Sequence, residues 1–275
     1  MYLPTQEALI DGVRTVYRRC GLSGPDVLML HGWVSSSRMW HSAQKALGPF
    51  CRTWAFDLPG FADSERIPLE DYQIDRWVDH AVAFIDAQGL QQPVLVGHSM
   101  GGMICARLVM KYPEVASRLI LINPVVTGRT FLDLKLLADS PLQGMMTRLG
   151  HWVWPIVTSS LLSNPIQMVG GVHGANHQRG QEDWAKINGP IAIAGLRAIM
   201  CTDLSKDLAR IKLPTLVVIG RLDMTAPNRE GRLVAQNVPG AELVVLRAGH
   251  LPTDECPELV EPLLLTFILG QPELA

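Results

Sequence analysis

Six short apolar runs punctuate the chain: "DVLML" (26–30), "RTWAF" (52–56), "PVLVG" (93–97), "RLILI" (118–122), "PTLVVIG" (214–220) and "ELVVL" (242–246). They are nearly continuous rather than alternating with polar residues, which marks strands buried on both faces of a parallel sheet. Between two of them Ile74, Trp77, Val78, Ala81, Val82 and Ile85 recur with the 3.6-residue period of a helix. Ile104, Leu108 and Val109 repeat that spacing after the third run. Strands that alternate with helices predict an α/β fold, a mostly parallel sheet with helices on both faces. Ahead of them, "EALI" and "VRTVYRRC" flank Asp11-Gly12, a pair suited to the positive φ angles of a tight hairpin.

The alternation breaks once. From Val126 to Leu204 no strand pattern appears, and the composition turns rich in Trp, Met, Gly and Pro. An insertion between two strands of such a sheet lies over the strand ends, where ligands bind in open α/β folds. The expected organisation is a core of residues 1–125 and 205–275 with a helical cap of 126–204. Thirty residues between Arg148 and Arg179 carry no formal charge. That is longer than the ~20 apolar residues of a membrane span. Pro155, Pro165, Asn164, Gly170, Gly171 and two histidines interrupt it, however, so a buried or ligand-facing lobe is expected.

Charge changes the picture by exclusion. Twenty-four basic and twenty-six acidic residues give a net −2, which carries no nucleic-acid footprint and suits a small-molecule partner. The five cysteines are scattered, with no C-x-x-C pair or zinc spacing, and read as reduced thiols of a cytoplasmic protein. The first twenty residues lack the basic-then-apolar layout of a secretory signal.

The chemistry begins at "GHSMG" (97–101), where a buried strand gives way to a helix. A serine there occupies a sharp turn that admits only small neighbours, Gly97 and Gly101, and it stands at the top of the sheet. A hydroxyl of ordinary pKa is a poor nucleophile without a histidine base and an acid to orient it. "GRLDMTAP" (220–227) supplies Asp223 just past one strand end, and "AGHLPTDECPE" (248–258) supplies His250 past the next. Parallel strands deliver their C-terminal ends to one edge, so Ser99, Asp223 and His250 are expected to converge. The backbone N–H groups of Met100 and Trp33, each at a strand end, are the expected donors to a developing oxyanion.

In these motifs the chain resembles the α/β-hydrolase superfamily over nearly its whole length, in the serine-nucleophile branch with an inserted cap. "DVLMLHGW" and "FDLPGFADS" are similar to the family's oxyanion loop and the turn after its next strand, "GHSMGG" to its nucleophile elbow, and "GRLD" and "AGH" to its acid and base loops. Ala62 stands where the family more often has glycine. Some relatives carry the acid after the strand preceding the cap, where "LILINPV" offers Asn123 and no carboxylate.

Other residues have plainer readings. His98 is expected to be a packed core histidine, because successive side chains leaving a strand diverge. His31 is read as a brace for the oxyanion loop and Asp57 as an acceptor for amides of the Pro-Gly turn that follows it. Asp133 and Asp139 read as solvated charges, and Cys105 as a small apolar filler. His173 and His177 have the i, i+4 spacing of metal ligands, but Gly170, Gly171 and Gly174 argue against a helix there, and no metal is expected. No cofactor is expected either, since phosphate-loop and dinucleotide glycine patterns are absent.

The resemblance implies acyl transfer, with hydrolysis of small or medium, largely apolar carboxylic esters as the leading activity. Trp33, Trp152, Trp154, Met145, Met168 and Leu251 are the expected substrate contacts, with Met146 beside them. Carbon–carbon hydrolases of aromatic ring-fission products are the nearest alternative, but that group commonly has a tryptophan after the histidine and an asparagine before the serine, where this chain has Leu251 and His98. "HGWVSSSRMW" and "DLPGFADS" also resemble segments of the esterase that removes a methyl ester from a carrier-bound acyl chain, although that group has a tryptophan before the serine. A ligand receptor on the same scaffold and an acyltransferase complete the alternatives.

Overall fold

The computed structural model describes residues 2–129 and 174–270. Eight strands form one sheet in the order β1-β2-β4-β3-β5-β6-β7-β8. β1 (Gln6–Ile10) and β2 (Val13–Cys20) make the expected hairpin, with Asp11 and Gly12 at φ 48° and 76°. β2 runs antiparallel to β4 (Arg52–Phe56), whereas β3 (Asp26–Leu30), β5 (Val94–His98), β6 (Arg118–Ile122), β7 (Thr215–Gly220) and β8 (Glu242–Leu246) join β4 in a parallel array.

Period-two alternation sends each continuous apolar run into two cores. Leu28, Leu30, Leu95, Leu119, Leu121, Val217 and Ile219 face one layer; Val27, Met29, Val94, Val96, Ile120, Ile122, Leu216 and Val218 face the other. Helices α1 (His41–Leu47), α2 (Ile74–Gln88) and α3 (Met100–Lys111) follow strands β3, β4 and β5. α2 buries Ile74, Trp77, Val78, Ala81, Phe84 and Ile85 and ends at Gly89 in the left-handed conformation.

Among the described residues, two helices lie between β6 and β7: α4 (Gly174–Ala185) and α5 (Gly189–Met200). α6 (Asn228–Asn237) follows β7, and α7 (Pro252–Glu255) and α8 (Pro257–Leu269) close the chain. The insertion leaves and rejoins the core at one neck. Buried Glu230 of α6 accepts the N–H groups of Val126 and Thr127 at 2.9 and 2.8 Å, and the Leu204 N–H donates to Val126 O at 2.7 Å.

Two expectations are corrected. β8 is an edge strand rather than one buried on both faces, because it pairs only with β7 and leaves Glu242 and Val245 exposed. A helix does form from Gly174 onward and contains His177, because its polar face is held by ion pairs to the core that outweigh glycine's weak propensity. His173 lies outside the described residues, and no cluster of metal-ligating side chains occurs among the described ones.

Candidate active site

Ser99 sits between β5 and α3 with φ 53° and ψ −115°, a conformation that L-residues rarely adopt. The turn is tight enough that a β-carbon on Gly97 would strike the Gly101 carbonyl, and one on Gly101 the Leu30 carbonyl. The glycines flanking the serine are therefore a packing requirement. The Ser99 N–H donates to Ile122 O at 3.0 Å, which pins the elbow to β6.

Asp223 lies three residues beyond β7, with its side chain fully buried. Its Oδ1 accepts the N–H groups of Thr225 and Ala226 at 2.7 and 2.9 Å, and its Oδ2 lies 2.7 Å from His250 Nδ1. That contact orients the imidazole and leaves Nε2 as its free nitrogen. A carboxylate has no hydrogen to give, so the Nδ1–H of His250 is the donor of that bond. His250 follows β8, and its side chain is only slightly exposed.

The loop after β3, the expected oxyanion side, packs directly against the serine turn. Gly32 packs so closely that a β-carbon there would touch the Ser99 side chain and His98 Nδ1. The His31 ring braces this loop: Nε2 accepts the Leu58 N–H at 2.9 Å, so Nδ1 carries the proton and donates to Gly32 O at 2.8 Å. Burial pulls the His31 pKa down, against the opposing pull of Asp57, which suits a neutral brace. Asp57 is structural in a wider way than expected, accepting Ser37 N–H at 2.7 Å and Ser37 Oγ–H at 2.6 Å as well as the turn's Asp63 N–H at 3.2 Å. Ala62 takes φ 47° in that same turn, the region where glycine is unstrained.

A family model for the alpha/beta hydrolase fold matches residues 25–256. The chain belongs to the α/β-hydrolase family. A pimeloyl-(acyl-carrier protein) methyl ester esterase of Aeromonas salmonicida is 29% identical over 252 residues, covering 89% of this chain and 96% of its own. A 2-hydroxy-6-oxo-6-phenylhexa-2,4-dienoate hydrolase of Burkholderia cepacia is 29% identical over 265 residues, 89% and 88% of the two chains. An esterase of Exiguobacterium antarcticum superposes with a TM-score of 0.81 at 21% identity, over 98% of this chain and 100% of that one, a likeness of fold.

Within this α/β-hydrolase the remaining expected contacts fall out unevenly. Met100 is fully buried, and its side chain packs in the first core layer. Trp33 is turned toward the insertion: its Nε1–H donates to Ala192 O of α5 at 2.9 Å, and its ring packs beside Gly195. Leu251 packs half-buried against the second core layer. Met145, Met146, Trp152, Trp154 and Met168 lie outside the described residues, as do Asp133 and Asp139.

Sequence reasoning missed the polar frame around the loop that bears His250. His98 is a buried, hydrogen-bonded histidine as expected, yet its ring is 4.6 Å from that of His250 and its Nε2 lies 2.7 Å from His250 O. A carbonyl only accepts, so Nε2 carries the proton. Burial, with the charge a protonated His250 would set beside it, drives the His98 pKa well below its ordinary value, so His98 is neutral. Glu255 accepts the Gly249 and Leu251 N–H groups at 2.6 and 3.0 Å, one on each side of His250. Arg179 of α4 grips Asp254 of α7 through two contacts at 3.0 and 2.6 Å, and Arg38 pairs with Glu182 and Asp183 of α4, both at 2.5 Å. Isolated charges at 179 and 254 give no signal of pairing in the sequence, since 75 residues separate them.

Proposed function

We propose that this α/β-hydrolase cleaves carboxylic esters of small or medium, largely apolar substrates through an acyl-enzyme on Ser99. The observation that carries the proposal is the Asp223–His250 contact of 2.7 Å at the sheet edge that also bears Ser99 in its strained turn. With its Nδ1–H donated to Asp223, His250 presents an unprotonated Nε2 that takes the proton of the Ser99 hydroxyl as the oxygen attacks the ester carbonyl. The negative oxygen is met by the N–H groups of Trp33 and Met100, one at the end of the β3 loop and one heading α3. The imidazolium then protonates the departing alcohol. Water, activated by the same nitrogen, releases the acid and restores the serine.

Residues 126–204 act in this reading as a cap over the site, with Trp33 and Leu251 on the core side of the pocket. A cytoplasmic location belongs to the same proposal and is supported by five cysteines that are all free thiols. No helix among the described residues is long and apolar enough to cross a membrane. Carbon–carbon bond hydrolysis is a second reading, favoured by the Burkholderia cepacia relative, and it uses the same triad.

The test is turnover of p-nitrophenyl esters of graded acyl length by the wild type and Ser99→Ala. Ester turnover that falls at least about 10³-fold in the variant, with the fold intact, is the expected result. Undiminished turnover by a folded Ser99→Ala protein would sink the nucleophile assignment. Labelling of Ser99 by a fluorophosphonate without turnover of any ester would favour the carbon–carbon reading.

A further inference from the structure

The side chain of Asn123 makes three hydrogen bonds, and none is to its own strand. It lies just past β6 at φ 42° and is nearly fully buried. Its Oδ1 accepts the Gly220 N–H at 2.7 Å, where β7 turns toward Asp223. Its Nδ2 donates to Gly249 O at 2.9 Å and His250 O at 3.0 Å. The partners themselves fix the amide orientation, since an N–H demands an oxygen and two carbonyls demand a nitrogen. His250 O thus receives two donors, from Asn123 and His98, and with Glu255 on the flanking amides the peptide planes around His250 are held from both sides.

We propose that Asn123 is a positioning residue that, through the two ends of one buried amide, spans the acid loop and the base loop and sets the distance at which Asp223 meets His250. His98 is the second donor in the same role. The proposal rests on the reading of Ser99, Asp223 and His250 as a triad. The two loops also meet directly, where the Leu222 N–H donates to Ala248 O at 2.9 Å, and Asn123 adds a side chain bonded to the backbone of both. An amide is the group this span requires. A carboxylate would still accept from Gly220 but would set an oxygen against two carbonyl oxygens. An aliphatic side chain would leave the Gly220 N–H and the Gly249 carbonyl without their partner. Asparagine also tolerates the left-handed backbone of position 123 better than most residues.

The role is read by steady-state kinetics on a p-nitrophenyl ester, per active site titrated with a fluorophosphonate, together with the low-field proton resonance of His250 Nδ1–H. Asn123→Asp and Asn123→Ala are expected to lower kcat by about 10- to 100-fold with little change in KM, the loss that a misplacement near 1 Å brings. The Nδ1 proton signal should shift upfield or broaden in both. His98→Leu tests the same carbonyl without touching the β6–β7 junction and should lose kcat in the same sense, while His98→Gln, which keeps a donor near the Nε2 position, should restore it. A kcat within about twofold of wild type in folded Asn123 and His98→Leu variants, or an unmoved Nδ1 proton, would overturn the proposal. Retained turnover in Ser99→Ala would instead defeat the reading of Ser99 as nucleophile, and the proton signal would still judge Asn123 by itself.

Discussion

Asp223→Asn tests the triad more severely than removal of the carboxylate, because the surrounding amides dictate which way an asparagine must face. In the native protein Oδ1 is occupied by the N–H groups of Thr225 and Ala226, and Oδ2 faces His250 Nδ1. Asparagine has one oxygen and one NH2 group. Setting the NH2 against the two turn amides would strand both donors in a fully buried site, at about 1–3 kcal/mol each. The oxygen therefore stays with the turn, and the NH2 is forced against His250 Nδ1. An N–H there makes Nδ1 an acceptor and moves the imidazole proton to Nε2, the nitrogen proposed to receive the serine proton. Restoring the competent tautomer costs the flip, about 2–6 kcal/mol, and the carboxylate's support of the imidazolium is lost as well. At about 1.4 kcal/mol per decade the expected fall in kcat is about 10³–10⁴. Fold should be little disturbed, since the substitution is isosteric and keeps the turn's acceptor. The assay is kcat on a p-nitrophenyl ester with enzyme verified by its thermal midpoint, and the tautomer is read from the His250 ¹⁵N shifts. A loss below about tenfold in folded enzyme would refute the reasoning.

Two further predictions concern stability. Arg179→Met leaves Asp254 as an unpaired carboxylate in a site where both side chains are about 95% buried (5% and 7% exposed), which costs about 3–5 kcal/mol. With an unfolding entropy of about 2.1 cal/mol/K per residue over 275 residues, that lowers the melting temperature by about 5–9 °C. Adding Asp254→Asn should recover most of it, and a single-variant loss below about 1 kcal/mol by urea denaturation would show that the pair is not the clamp described. The second prediction concerns acid. His80 is pulled down to about 4 by burial, with Arg76 adding to the effect, while its Nε2–H donates to Thr15 Oγ at 2.9 Å. Between about pH 6.5 and 4 the unfolded chain binds a proton that folded His80 refuses, so stability falls as pH drops through that window, by up to about 3 kcal/mol from this group. Urea midpoints across pH 4–7 should show a shallower slope in His80→Gln; an unchanged slope would mean that His80 is not the titrating group.

The fold was legible because its governing pattern is local. Each apolar run is a strand of five or six residues, and for all but β8 its own composition announces burial on both faces. β8 misled because "ELVVL" has the composition of a central strand, while its position at the sheet edge depends on topology that no single run carries. That Ser99, Asp223 and His250 follow β5, β7 and β8 was legible from the apolar run ahead of each. Asn123 was visible only as the lack of a carboxylate, because its partners Gly220, Gly249 and His250 lie about a hundred residues further along the chain. The helix from Gly174 was hidden for a related reason: its stability comes from Arg38 and Asp254 across the molecule and not from its own propensities.

That division between local and distant determinants also bears on how the site works. The apolar strands carry Ser99, Asp223 and His250 to one edge, but hydrophobic packing is non-directional and does not set hydrogen-bond geometry to a fraction of an ångström. The polar frame supplies the direction. The loop that bears Trp33 is tied to the insertion by Trp33 Nε1 to Ala192 O and by Ser36 and Arg38 to Asp183, and the loop that bears His250 is tied to the same insertion through Asp254 and Arg179. Helices α4 and α5 therefore hold both the expected oxyanion loop and the base loop, from the side on which a cap would meet substrate. A displacement of α4 strains two parts of the proposed machinery at once, because Arg179 and Asp183 lie one helical turn apart on one rigid element. If the insertion selects substrate and the triad is as proposed, both functions draw on one connected set of hydrogen bonds and ion pairs that runs through α4 and α5.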